Sequence, residues 1–327
     1  PNRGLEAMFT FMNTARLGTA VQGVCHAEAA FQGALPYAKE RRSMRALSGK
    51  KDPENKADAL IWHPDVRRML LTQKAIAEGG RAMIYDALKT GDHMFNAAAT
   101  GDNEAYKRYD SDLGFYTPIL KGFLTEMGLE AANLGVQVLG GHGYIKEHGM
   151  EQIVRDARIS TLYEGTTGIQ ALDLLGRKVL LGSKGKCVRD FTLRMALFAK
   201  PYLLKRTPLG AMARVLAARA VEWNLLTTAI MLRAPKDKEV VGAASVDYLM
   251  YSGFVMMGYY WALQAAKAQE LLDSGAGKES AEFYRAKIQT AEFYFERLMP
   301  RANAHRTGAL APTKSVMQLD NEHFAFA

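Results

Sequence analysis

Apolar residues in this chain recur at steps of three and four positions over almost its whole length, a period that fits an α-helix and does not fit a strand. Ala20, Val24, Ala27, Phe31 and Leu35 form one such stripe. Met69, Gln73, Ile76, Gly80, Ile84 and Ala87 form a second, and Met127, Ala131, Leu134 and Val138 a third. Residues 169–181 (IQALDLLGRKVLL) supply a fourth, and Thr167 and Gln170 at its start have the spacing of a capping box. No alternating apolar and polar run bounded by hairpin turns occurs, so a sheet has no source. The expected fold class is therefore all-α, with a four-helix bundle over residues 1–183 and a second helical domain over residues 187–327. Residues 182–186 (GSKGK) read as the flexible link between them. In the second part, Leu216, Ala220, Trp223, Thr227 and Ile230 mark one helix, the run through Tyr260 another, and Ile288, Ala291, Phe295 and Leu298 a third. From Ala302 onward the period is lost and a tail is expected.

Composition narrows the classes. With 48% hydrophobic and 23% charged residues over 327 positions, the chain has the make-up of a globular protein, not of a disordered or collagenous one. Cys25 and Cys187 stand far apart, which excludes a disulfide framework and fits a reducing, cytoplasmic compartment. The seven histidines show no pair at ligand spacing, so no metal site is expected. Residues 248–266 carry no charge over a length that could span a bilayer, but Ser252, Gln264 and four tyrosines spread along that stretch favour a buried helix over a transmembrane span. Lys and Arg (42) exceed Asp and Glu (34) by 8, which favours a polyanionic partner. Nucleic acid, anionic lipid and a phosphate-bearing small molecule all satisfy that excess. The basic run at 39–51 (KERRSMRALSGKK) lacks interleaved aromatics, which argues against nucleic acid. The polar residues 48–59 read as an exposed loop. The chain begins at Pro1, not Met, so further polypeptide is expected ahead of it.

The most informative segment is 137–170 (QVLGGHGYIKEHGMEQIVRDARISTLYEGTTGIQ), which packs glycines and charges into a stretch without a helical stripe. Gly140, Gly141 and Gly143 end the third helix and let the backbone approach another group closely, as a phosphate-bearing cofactor requires; a plain helix stop uses the same residues. Arg155, Asp156 and Arg158 have the look of a solvated or ion-paired turn. Glu164 stands between Tyr163 and Gly165 just ahead of a helix start. A lone glutamate in a turn is ordinarily a surface residue. To serve as a base near neutrality its carboxylate must be buried enough to offset the helix N-terminus, towards ~6–7.

Five motifs in order carry a family resemblance: RLGTAVQG at 16–23, YAKER at 37–41, QVLGGHGY at 137–144, RDARI at 155–159 and YEGTTGIQ at 163–170. Together they resemble the C-terminal helical domain of the acyl-CoA dehydrogenases, over residues 4–181, and the remainder resembles the extra C-terminal domain of the family's larger subgroup. Members of the family carry a helical domain and a β-domain ahead of this bundle. The resemblance implies FAD-dependent α,β-dehydrogenation of an acyl-CoA thioester to a trans-2-enoyl-CoA, with electrons passing to an electron-transfer flavoprotein, in a homo-oligomer, dimer or tetramer. By that resemblance Glu164 is the base. Arg41 binds the FAD pyrophosphate across a subunit interface, Gln137, Gly140 and Gly141 touch its adenosine end, and Thr166 lies on the flavin. Met44 and Gly168 fall at two further cofactor positions, while Asn13, Arg16, Tyr163 and Gly165 fall beside the substrate. Two departures stand out: Met44 and Arg45 replace an aromatic residue and a glycine, and Gly168 replaces an amide side chain. The competing reading is a non-catalytic helical scaffold that binds an acidic partner through its basic face.

Overall fold

The computed structural model describes residues 4–325, apart from the side chains of residues 5–11 and 13. The expected fold class holds: the described residues contain helices and no strand, with one isolated bridge between Arg42 and Ala59. Three helices of 37 residues each make the bundle's frame: α1 (Gly4–Glu40), α2 (Pro64–Thr100) and α3 (Asn103–Leu139). The α2–α3 turn shows why they run antiparallel. Gly101 ends α2 in the left-handed conformation (φ 74°). Asp102 then caps α3 through the Ala105 amide at 3.0 Å, leaving a two-residue connection. Helices α1 and α3 meet backbone to backbone at Gly23 and Gly128. A Cβ on Gly23 would sit 2.3 Å from the Leu124 carbonyl oxygen, so no other residue fits there unless a helix shifts.

Segment 137–170 is more regular than its sequence suggests. After α4 (Gly141–Tyr144) comes an 11-residue helix, α5 (Met150–Ser160), which carries Arg155, Asp156 and Arg158; only Met150, Ala157 and Ser160 of it are buried. So narrow a contact leaves no apolar stripe to read, and these charges sit on a helix, not a turn. The fourth bundle helix, α6 (Thr167–Leu172), continues as a π-helical segment, Asp173–Gly182. Its cap is Thr166, whose hydroxyl accepts from the Ile169 amide, and not the Thr167 of the expected capping box. The Thr167 hydroxyl bonds Glu126 at 2.5 Å instead, and the Gln170 amide turns back toward the preceding turn.

Beyond it lie α7 (Lys186–Ala199), α8 (Pro208–Arg233), α9 (Val240–Ser274), α10 (Ala281–Phe293, continued by a π turn Tyr294–Leu298), α11 (Arg301–Leu310) and α12 (Lys314–Met317). The expected tail from Ala302 thus begins as helix α11, held by buried Ala302 and Ala309, residues too small to mark a stripe. Helices α8 and α9 are each long and apolar enough to cross a membrane; most of the apolar window of α9 lies inside the protein. Trp261 of α9 donates to the Ala75 carbonyl on α2 at 3.1 Å, and Tyr294 donates to the Phe254 carbonyl on α9 at 2.7 Å. One hydrophobic core therefore runs from Leu17 on α1 to Ala309 on α11. A polar bolt crosses the same junction: Asp86 on α2 receives Arg194 of α7 at 2.9 Å and Tyr260 of α9 at 2.6 Å.

Candidate functional site

The turn between α5 and α6 carries Tyr163, Glu164, Gly165 and Thr166, and its backbone is unusual. Glu164 has φ 56° and Gly165 φ 91°. Left-handed geometry costs a non-glycine residue on the order of 1 kcal/mol or more and persists only where the surroundings enforce it. They do so here. Gln170, fully buried on α6, donates from Nε2 to the Glu164 carbonyl at 3.0 Å. Lys121, on α3 and 0% exposed, donates from Nζ to the Gly165 carbonyl at 2.6 Å. Two consecutive carbonyls are thereby gripped from two helices. A Cβ on Gly165 would come within 2.6 Å of Gln170 Nε2, so a side chain there would push the brace aside in a backbone conformation that already favours glycine.

Around the turn lie further charges. Arg16 on α1 is buried and pairs with Asp173 at 3.0 Å, and Asp173 also accepts from Arg177 at 2.5 Å. Tyr163 donates to Gln22 of α1. Burial pushes the Lys121 ammonium down to about 8, with Glu126 and Glu164 pulling against it and Arg16 with it. An open groove lined by Leu129, Val154, Arg155, Arg158, Ile159 and Leu162 flanks one side of the turn, which places RDARI along it. A second, lined by Glu126, Leu129, Asn133, Thr167, Val246 and Met250, adjoins it through Leu129 and Asn133.

The remaining residues singled out from sequence gather elsewhere. Tyr37, near the end of α1, shares a 2.7 Å hydrogen bond with His142 Nδ1, which draws residues 140–143 against the C-terminal end of α1. The rings of Tyr37, His142 and His148 cluster there, the two histidines 5.2 Å apart, a proximity invisible in their scatter along the chain. Arg41 follows one turn later; it is exposed, and its guanidinium has no ion pair or hydrogen bond among the described residues. Gln137, Gly140 and Gly141 are exposed beside it, and a Cβ on either glycine would meet nothing within 4 Å. Met44 is 78% exposed with φ 60°, so two of the three non-glycine residues at positive φ, Met44 and Glu164, fall on site positions. Arg45 is drawn into its own loop, to the Asp52 carbonyl at 2.9 Å and to Asp58 at 3.2 Å. Asp58 is the loop's buried hub: amides of Ala46, Lys51 and Asp52 donate to it and, led by the Ala46 amide, hold its carboxyl well below the usual range. The loop at 48–59 is thus organised around a carboxylate that its polar composition concealed.

Glu164, Thr166, Gly168, Tyr163, Gly165 and Arg16 are therefore together, while Gln137, Gly140 and Gly141 gather at the end of α1 that leads to Arg41, with Met44 in the loop that follows. Gln22 and Tyr37, which anchor the two groups on α1, are 15 residues and roughly 22 Å apart at ~1.5 Å per residue. Asn13 lies among the side chains outside the described residues. Sequence reasoning missed Lys121, Gln170 as a brace, Asp173 and Asp58. The lone lysine in the apolar run around it (FYTPILKGFL) was the one available sign.

Residues 2–180 match the family described as acyl-CoA dehydrogenase, C-terminal domain, and residues 191–320 the family described as acetyl-CoA dehydrogenase C-terminal like. The chain is 40% identical over 310 residues to 3-methylmercaptopropionyl-CoA dehydrogenase of Ruegeria pomeroyi, covering 94% of this chain and 50% of that protein. It is 30% identical over 336 residues to a broad-specificity linear acyl-CoA dehydrogenase of Mycobacterium tuberculosis, covering 99% and 53%. It spans about half the length of these curated relatives. Among solved structures, an acyl-CoA dehydrogenase from Bacillus anthracis complexed with FAD superposes with a TM-score of 0.72 at 17% identity, over 97% of this chain and 52% of that one.

Proposed function

This chain belongs to the acyl-CoA dehydrogenase family, and from that premise we propose that it is the C-terminal half of an FAD-dependent enzyme that converts an acyl-CoA thioester to a trans-2-enoyl-CoA. The observation that carries the proposal is the Glu164–Gly165 turn, held against its conformational cost by buried Lys121 and Gln170. Strain of this kind is maintained where a side chain must be aimed. In the proposed reaction the Glu164 carboxylate removes the α-proton of the thioester. A thioester α-proton is weakly acidic, so the base must be fixed and water kept out. Tyr163, the Gly165 backbone and the part of the Arg16 guanidinium not committed to Asp173 would meet the substrate beside it. Asn13 is proposed for the same role.

The residues fit FAD. Arg41 offers an unpaired five-donor fork suited to a pyrophosphate. Gly140 and Gly141 leave open space beside it, and Gly168 leaves room where the family carries an amide. Gln137, Met44 and Thr166 complete the set of residues that would hold it. Bound FAD would supply the acceptor for the β-hydrogen leaving as hydride. Because the Arg41 group stands some 22 Å along α1 from the Glu164 group, we propose that a second copy of the chain contributes it, so the working form is a homo-oligomer. An electron-transfer flavoprotein is the proposed electron acceptor, and the cytoplasm the proposed location.

The test is anaerobic mixing of an acyl-CoA with the full-length enzyme, bound FAD being quantified first. Glu164→Gln keeps shape and hydrogen bonding but not proton affinity, so it should retain FAD and bleach the flavin ~10²–10⁴-fold more slowly. Bleaching at the wild-type rate would remove Glu164 from the mechanism.

A further inference from the structure

Lys121 is the one buried lysine among the described residues, and the proposed proton transfer does not use it. It sits on α3 among Ile119, Leu120, Phe123 and Leu124, all buried, and its single hydrogen bond goes to the Gly165 carbonyl. Burying an ammonium ion costs several kcal/mol unless something compensates. An uncharged side chain would fill the same volume more cheaply. The charged groups acting on it are Glu126 on its own helix, Glu164 on the turn and Arg16 on α1, whose charge is shared with Asp173. A cation is thus held beneath the base turn by a partner that is itself the backbone of that turn.

We propose that Lys121 is the positioning residue of the base: its ammonium ties down the Gly165 carbonyl, keeps Glu164 in its left-handed conformation, and places a buried positive charge behind it. This rests on Glu164 being the base. Two effects follow. The first is geometric: with Lys121 gone, Gln170 alone holds the turn, from the Glu164 carbonyl and, at 3.5 Å, the Gly165 carbonyl. A misplacement of about 1 Å in aim costs up to ~10²-fold in rate. The second concerns charge: an ammonium bond to a carbonyl is charge-assisted and roughly twice as strong as a neutral one, so a cation here holds the Gly165 carbonyl better than a neutral donor does. Burial lowers the ammonium only to about 8, so the charge is present at neutral pH.

The experiment measures flavin bleaching over a series of acyl-CoA concentrations in full-length wild type, Lys121→Met, Lys121→Arg and Glu164→Gln, with FAD content and melting temperature alongside. Lys121→Met should hold FAD, melt no lower than wild type at pH 7 and bleach ~10–100-fold more slowly at saturating acyl-CoA, with the half-saturating acyl-CoA concentration little changed. Lys121→Arg, which keeps a charged donor, should recover most of the lost rate. If methionine at this depth prevents folding, Lys121→Gln makes the same comparison, because it still offers Gly165 an N–H without a charge. Wild-type bleaching in the neutral variants overturns the proposal, and so does a rate that falls only in step with FAD content and melting temperature or that Lys121→Arg does not recover. Wild-type bleaching by Glu164→Gln overturns it by another route, through arms that leave Lys121 intact, so the two failures are distinguishable.

Discussion

The Glu164 turn and the Arg41 end of the bundle are built on opposite plans. At the turn, strained backbone is gripped by buried side chains, Lys121 and Gln170, and the neighbouring charges Arg16 and Asp173 are paired inside the protein. At the Arg41 end the guanidinium is exposed and unpaired, the glycines border open space, and Met44 stands in solvent. The difference teaches that the chain braces one region from within and leaves the donors of the other uncommitted among the described residues. Under the proposed function, a cofactor shared between copies is what engages the second region.

The comparison breaks most visibly at Gly165. A side chain there meets Gln170 Nε2 at 2.6 Å in a backbone conformation that L-residues rarely adopt. Gly165→Val should therefore displace the base and slow flavin bleaching by ~10²-fold or more, with FAD still bound. Rapid bleaching in this variant would mean that the turn needs no such restraint.

A smaller effect separates the regions by pH. The folded-state proton affinity of Lys121 is lowered from 10.5 to about 8. Between those values the unfolded chain carries the proton and the folded one does not, so stability rises with pH. The cost of burial is fully present below about pH 8 and is relieved as the pH approaches 10.5. Wild type should accordingly gain stability relative to Lys121→Met across that window, by up to about 3 kcal/mol, in denaturant titrations at a series of pH values. A flat difference would show that the ammonium is solvated.

The smallest stability effect belongs to Arg41. Without internal partners, Arg41→Ala should change folding stability by no more than about 0.5 kcal/mol, yet lower flavin content, with Arg41→Lys losing less. Destabilisation of several kcal/mol would show that the exposed end is structurally engaged after all.

Much of this was legible in the sequence. The stripe from Met69 to Ala87 is buried at every position, and so is the one from Leu216 to Ile230, because long helices facing a single core impose their period on the residues that line it. Glu164 and Arg41 stood out through ordered motifs, and the separation of their regions follows from the length of α1. What was hidden depends on contacts between distant positions. Helix α5 presents too narrow a buried face to show a stripe, and α11 rests on alanines. Thr166 took the cap expected of Thr167 because Glu126, 41 residues away, engages Thr167. Lys121 and Asp58 are charges whose burial only the fold creates.

Subunit complementation tests most directly the claim that a base from one copy and an anion site from another form one working centre. Full-length Glu164→Gln and Arg41→Ala enzymes, each defective alone, would be co-expressed and isolated as mixed oligomers, and anaerobic flavin bleaching by an acyl-CoA measured. The account predicts that mixed oligomers regain FAD-dependent bleaching well above either parent, since some sites then combine an intact Glu164 with an intact Arg41 from different chains. Bleaching no greater than the sum of the two parents would place both residues in the same chain's site and contradict it.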